Sequence, residues 1–196
     1  MLNEMLRLNE DKAKPSSTHI DVKTIDAKQD PFHPNEDEED ILENEVSYLS
    51  AIGALLYLAQ CTRPNISFAI NLLARYSNAP TRIHWIGVKD IFNYLKGTMD
   101  LRLIYTHESL RGAASSFCPR LDSCLVGYVD TGYLFDPHMA CSQTGYVFTV
   151  RNTAISWRSN KEMLVATFSN HVEIFALHEV SRECFWLRAV MEYIDR

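Results

Sequence analysis

Asp130 closes the apolar run Leu125-Val126-Gly127-Tyr128-Val129, and Glu173 follows further along inside a helical pattern. A strand that is apolar up to a terminal Asp presents that charge at the edge of a sheet, where water and metal ions have access. From Glu173, helical spacing leads through Leu177, Val180, Cys184, Leu187 and Met191, an apolar stripe expected to face a core. Glu173 is therefore expected at the N-terminal end of that buried face. Two carboxylates meeting where a sheet adjoins a helix suit a divalent metal, because hard cations such as Mg²⁺ take oxygen ligands. Each also has a plainer reading. A strand-end Asp can cap a turn, and a Glu early in a helix is favoured by the helix dipole.

The elements that must position this pair follow from spacing. Tyr48, Ile52, Leu55, Leu56 and Ala59 recur on one side of a first helix, and Ile66, Ile70 and Leu73 on a second that opens near Thr62 and Pro64. A third helix is expected from about Thr81 to Lys96, with Trp85, Val88, Phe92 and Leu95 inward and Gly97 closing it at positive φ. Helices this short bury their stripes by packing as a small bundle. Past Gly97 the pattern turns strand-like. Residues 101–105 form one candidate, 107–123 read as a loop, and 124–130, 144–150 and 153–158 are three more, the last two joined by a hairpin turn at Arg151-Asn152. A long amphipathic helix from Ser169 or Asn170, either of which can cap it, to about Tyr193 completes an α+β order in which a helix lies on an antiparallel sheet.

Composition narrows the function. At 196 residues and 46% apolar content the chain can build a core, and no apolar run reaches the length of a membrane span. The N-terminus lacks a signal-peptide pattern, so an intracellular setting, cytoplasmic or nuclear, with reduced cysteines is expected. The five cysteines at 61, 118, 124, 141 and 184 include no C-x-x-C pair, which argues against zinc or a disulfide framework. The net charge of −6 is uneven: residues 1–46 carry −8 and the remainder +2. The run Asn35-Glu36-Asp37-Glu38-Glu39-Asp40 repels itself and is expected to be a solvated linker. His178-Glu179 lacks the second His of a zinc-protease helix, and no G-x-S-x-G elbow is present. Trp85, Trp157 and Trp186 are flat enough to stack on bases, yet each lies in an amphipathic element where partial burial is the simpler expectation.

Several separate signatures then occur in a recognisable order: TRPNI at 62–66, YLKGT at 94–98, the Tyr-Val-Asp strand at 128–130, TGYVF at 144–148, AISW at 154–157 and NHVEIFALHEVSRECFWLR at 170–188. Across nearly its whole length the chain resembles the C-terminal part of copia-type retrotransposon Pol polyproteins. The resemblance implies an acidic leader and linker over 1–46, a helical, thumb-like tail of a reverse transcriptase over 47–105, a loop over 106–123 and a partial ribonuclease H-like domain over 124–196. It further implies a nuclease that cuts the RNA strand of an RNA–DNA hybrid with two Mg²⁺ ions, Asp130 standing for the first-strand catalytic Asp and Glu173 for the helix Glu. The rest of the polyprotein and the hybrid are the partners it implies, with no membrane. Gly132 and His171 replace acidic residues of the general family pattern at non-catalytic positions. The family's later catalytic carboxylates, and the polymerase's Tyr-x-Asp-Asp hairpin, do not occur within these residues. The resemblance therefore implies polyprotein-derived material that does not cut hybrids efficiently by itself; the alternatives are a non-catalytic fragment that binds nucleic acid or protein, and a relic.

Overall fold

The structure, a computed structural model, describes residues 32–34, 45–105, 125–136, 141–162 and 168–194. The acidic run at 35–40, the loop at 107–123, Cys118 and Cys124 lie outside them. The fold is mixed α+β, with helices first and a three-stranded antiparallel sheet with its helix after. It divides into two compact units, one built on residues up to Leu101 and the other on Arg102–Phe135 with Cys141 onward.

In the first unit α1 spans Glu45–Cys61, a short 3₁₀ turn covers Pro64–Ile66, α2 spans Ser67–Ala74 and α3 spans Arg82–Gly97. The expected stripes meet in one core of Tyr48, Ile52, Leu55, Ile66, Ile70, Leu73, Val88 and Phe92, joined by Ile91. Polar cross-links fix the helices in register: Tyr48 Oη donates to Leu73 O at 2.8 Å and Asn65 Nδ2 to Tyr94 Oη at 2.7 Å. Trp85 is only half-buried, and His84 takes the deeper position at 1% exposure. Its Nδ1 accepts the Thr81 N–H at 2.9 Å, satisfying a backbone donor at the helix start, and its ring stacks on Tyr76 with centroids 4.1 Å apart. Phe32 also belongs to this core. Its ring lies over Gly87, where a Cβ would sit 2.7 Å from Phe32 Cε1, and its carbonyl accepts the Tyr76 hydroxyl.

The end of α3 corrects the expectation for Gly97, since no described glycine has positive φ. Gly97 stays helical and Thr98 caps instead. Thr98 Oγ1 donates to Tyr94 O at 2.8 Å, and Arg63 Nη2 donates to Thr98 O at 2.6 Å, so the terminal carbonyls are satisfied without a left-handed residue.

In the second unit β1 spans Leu125–Asp136, β2 Cys141–Val150, β3 Thr153–Lys161 and α4 Ser169–Ile194. The sheet order is β1-β2-β3, and β2 pairs antiparallel with β3 from Gln143↔Lys161 to Val150↔Thr153. Arg151 and Asn152 form the two-residue turn with φ of 53° and 62°, the primed geometry that suits the twist of a hairpin. Asn adopts that conformation at less cost than Arg. Arg151→Asn is expected to stabilise this unit by about 1 kcal/mol, read as a higher urea midpoint at unchanged slope; an unchanged or lower midpoint would refute it.

Residues 101–105 are not a strand. They run as irregular chain fastened to the start of β3, with Thr153 Oγ1 donating to Ile104 O at 2.7 Å and Tyr105 Oη to Ala154 O at 3.0 Å. Side-chain bonds hold them there.

Alternate residues of β2, namely Ser142, Thr144, Tyr146 and Phe148, are buried, and α4 packs on that face. The core there is Tyr146, Phe148 and Leu187, flanked by Leu125, Ile155, Val180 and Cys184. The stripe expected on α4 holds in its C-terminal half and shifts by one residue in the other. Val172 and Ala176 are each 1% exposed, whereas Leu177 is 56% exposed. Both lines merge at Val180, which is reached from Val172 by two i to i+4 steps and from Leu177 by one i to i+3 step.

Candidate functional site

Asp130 lies in the middle of β1, not at its end: the strand continues through Thr131-Gly132 to Asp136. Its carboxylate is exposed, and Oδ1 accepts the N–H of Thr131 at 2.9 Å. Glu173 sits on the fifth residue of α4, exposed, beside rather than within the buried seam.

Neighbouring contacts fix which way the two point. A Cβ on Gly127 would lie 2.6 Å from Cε1 of Phe148, so Gly127 and Phe148 share the sheet face that α4 covers. Side chains alternate along a strand. Three positions on, Asp130 falls with Val126 and Tyr128 on the opposite face. The fold thus carries both expected carboxylates to the surface, Asp130 on the first strand and Glu173 near the start of α4. Among the described residues no group of three or more His, Cys, Asp or Glu side chains is arranged to hold a metal ion.

The polar chemistry of this unit gathers instead under α4. Ser156 Oγ donates to Glu183 Oε1 at 2.7 Å, tying β3 to the helix. One row along, Tyr146 and Arg158 face each other across β2 and β3. Burial raises the Tyr146 phenol above its ordinary range, Glu183 adds to the rise, and Arg158 opposes it through its charge and a hydrogen bond. Thr144, Tyr146, Arg158, Asn160, Glu162 and Glu179 line a cleft here. Sequence spacing gave no sign of this cluster, because its members come from three separate elements. Of the three tryptophans, Trp85 and Trp157 are half-buried as expected, while Trp186 is 59% exposed. Cys61, Cys141 and Cys184 are free thiols. Among the described residues no helix is long and apolar enough to cross a membrane.

An antiparallel sheet in chain order, a carboxylate on its first strand and a following helix with a carboxylate near its start define an α+β unit of the kind expected for the opening of a ribonuclease H-like domain. Comparison with known proteins places the sequence. It is 34% identical over 186 residues, 95% of this chain, to the retrovirus-related Pol polyprotein from transposon TNT 1-94 of Nicotiana tabacum, and 30% identical over 150 residues to that from transposon RE2 of Arabidopsis thaliana. It is also 35% identical over 142 residues to secreted RxLR effector protein 161 of Plasmopara viticola, covering 72% of this chain and 92% of that protein. The chain belongs to the family of copia-type retrotransposon Pol polyproteins. It spans 13% of the Nicotiana polyprotein and 9% of the Arabidopsis one. No family profile matches it, and no solved structure does.

Proposed function

We propose that this retrotransposon-derived chain descends from the part of Pol that degrades the RNA strand of RNA–DNA hybrids during reverse transcription, with Asp130 and Glu173 as its inherited Mg²⁺-site positions. The observation that carries this reading is the similarity to the Nicotiana polyprotein along 95% of the chain. The strand–strand–strand–helix order, with the two carboxylates on its first and last elements, supports it. Its partners in this reading are the hybrid and the rest of the polyprotein, and its setting is intracellular.

Cutting by residues 1–196 alone is a separate matter, and the placement of Asp130 on the face away from α4 favours a non-catalytic, hybrid- or partner-binding role. The test is cleavage of an end-labelled RNA–DNA hybrid with Mg²⁺ or Mn²⁺ by the chain and by its Asp130→Asn and Glu173→Gln variants. The expected result is no cleavage above the variants. Cleavage abolished by both substitutions would show a working metal site and overturn the non-catalytic reading.

A further inference from the structure

The cleft under α4 is small and partly open to solvent, with room of about 10 Å³, and is lined by Thr144, Tyr146, Arg158, Asn160, Glu162 and Glu179. Thr144 is 4% exposed, and its Oγ1 is buried without a hydrogen-bond partner. A hydroxyl cut off from water with nothing to bond is costly and points to an unfilled role. Glu179 supplies a carboxylate from α4, and Glu162, just past β3, supplies a second from the other side. The Glu179 charge is felt at the Tyr146 phenol, which places that carboxylate beside the cleft. Arg158 is occupied with Tyr146 and offsets only one of the two negative charges. Five of the six lining side chains offer oxygen, and none offers sulfur or imidazole.

We propose that this cleft is a binding site for a hard divalent cation of the Ca²⁺ type, held by the carboxylates of Glu162 and Glu179 with Thr144 Oγ1 and the Asn160 side-chain oxygen. Ca²⁺ tolerates irregular oxygen shells, whereas Mg²⁺ demands a tight octahedron that this mixed set is less suited to supply. Two carboxylates set a weak affinity, on the order of 10⁻⁴ to 10⁻³ M. The site is distinct from Asp130 and Glu173 and does not depend on the hybrid-directed reading. The ion would bridge β2, the end of β3 and α4, giving the Thr144 hydroxyl a partner.

The test is calorimetric titration of the full chain with CaCl₂, accompanied by Tb³⁺ luminescence excited through its tyrosines. Saturable binding is expected, weakened at least about tenfold in Glu179→Gln and in Glu162→Gln as ligand charge is lost. Thr144→Val is expected to weaken it and Thr144→Ser, which keeps the oxygen, to retain it. Asp130→Asn and Glu173→Gln are expected to bind as the parent does. The acidic residues at 36–40 add a background common to all variants, so differences between variants read the cleft. Circular dichroism confirms that each variant is folded. No saturable Ca²⁺ binding, binding unchanged in Glu179→Gln, or binding lost in Asp130→Asn or Glu173→Gln would overturn the proposal.

Discussion

Phe148→Ala is expected to destabilise the sheet-and-helix unit by about 3–5 kcal/mol. The ring is 2% exposed and, among the described residues, is the most deeply buried of the three buried side chains in its apolar cluster, with Tyr146 and Leu187. Tyr146 meets it edge-on at 5.7 Å, and the bare backbone of Gly127 accommodates its other side. Few neighbours are placed to collapse into the space left, so the cavity term adds to the lost transfer energy. The same geometry predicts a second effect of opposite origin. Gly127→Ala thrusts a methyl against the Phe148 ring, a rigid aromatic that cannot fold aside, and is expected to cost about 1–3 kcal/mol. The two substitutions share one volume, so the Gly127→Ala/Phe148→Ala double variant is expected to be less destabilised than the sum of the single changes. Amide hydrogen exchange across 141–161 measures this, and strict additivity would show that the ring does not rest on Gly127.

Tyr48→Ala is expected to cost the helical unit a similar amount, about 3–5 kcal/mol, for the loss of a large buried ring. Tyr48 is fully buried, and its hydroxyl is committed to Leu73 O. Tyr48→Phe keeps the ring and removes the hydrogen bond, for an expected cost of about 1 kcal/mol. The two variants also differ with pH. Burial, with a smaller contribution from Tyr76, pushes the Tyr48 phenol above the ordinary tyrosine range. Once pH passes about 10, the unfolded chain releases this proton while the folded chain keeps it. The stability linked to Tyr48 is therefore complete below about pH 10 and is lost as pH climbs toward the folded-state value. Denaturant melts at pH 8 and pH 10.5, followed through helical-unit amides, should show a steeper alkaline loss for the parent than for Tyr48→Phe. Equal losses would mean that Tyr48 ionises freely in the folded state.

Ile52, Leu55, Ile70, Leu73, Val88 and Phe92 announce the helical unit because a stripe at helical spacing has few other uses. The Arg151-Asn152 turn is legible because two strand-like runs stand two residues apart. Other features leave no such mark. Phe32 is one aromatic in a polar leader, and no periodicity foretells that it docks on Gly87. His84 reads as surface by residue type, yet its ring nitrogen completes the start of α3. On α4, Ile174, Leu177, Phe185 and Trp186 make the helix apolar on nearly every side, so spacing admitted two seams and the sheet selected Val172 and Ala176. Asp130 looked terminal because the apolar run Leu125–Val129 closes on its charge. The strand continues to Asp136, so Asp130 lies within it rather than at its end. The two candidate residues were thus legible, but the position of Asp130 within its strand was not.

Strands β1, β2 and β3 lie side by side in the order in which they are made, and α4 closes over them last. Such a sheet has short-range contacts, of the kind that form quickly and with little loop-closure entropy. On a ribosome each strand meets its neighbour as soon as it emerges, with no need to wait for a distant segment. Such vectorial assembly lets the unit take shape as it leaves the ribosome, strand by strand, before α4 closes over the sheet.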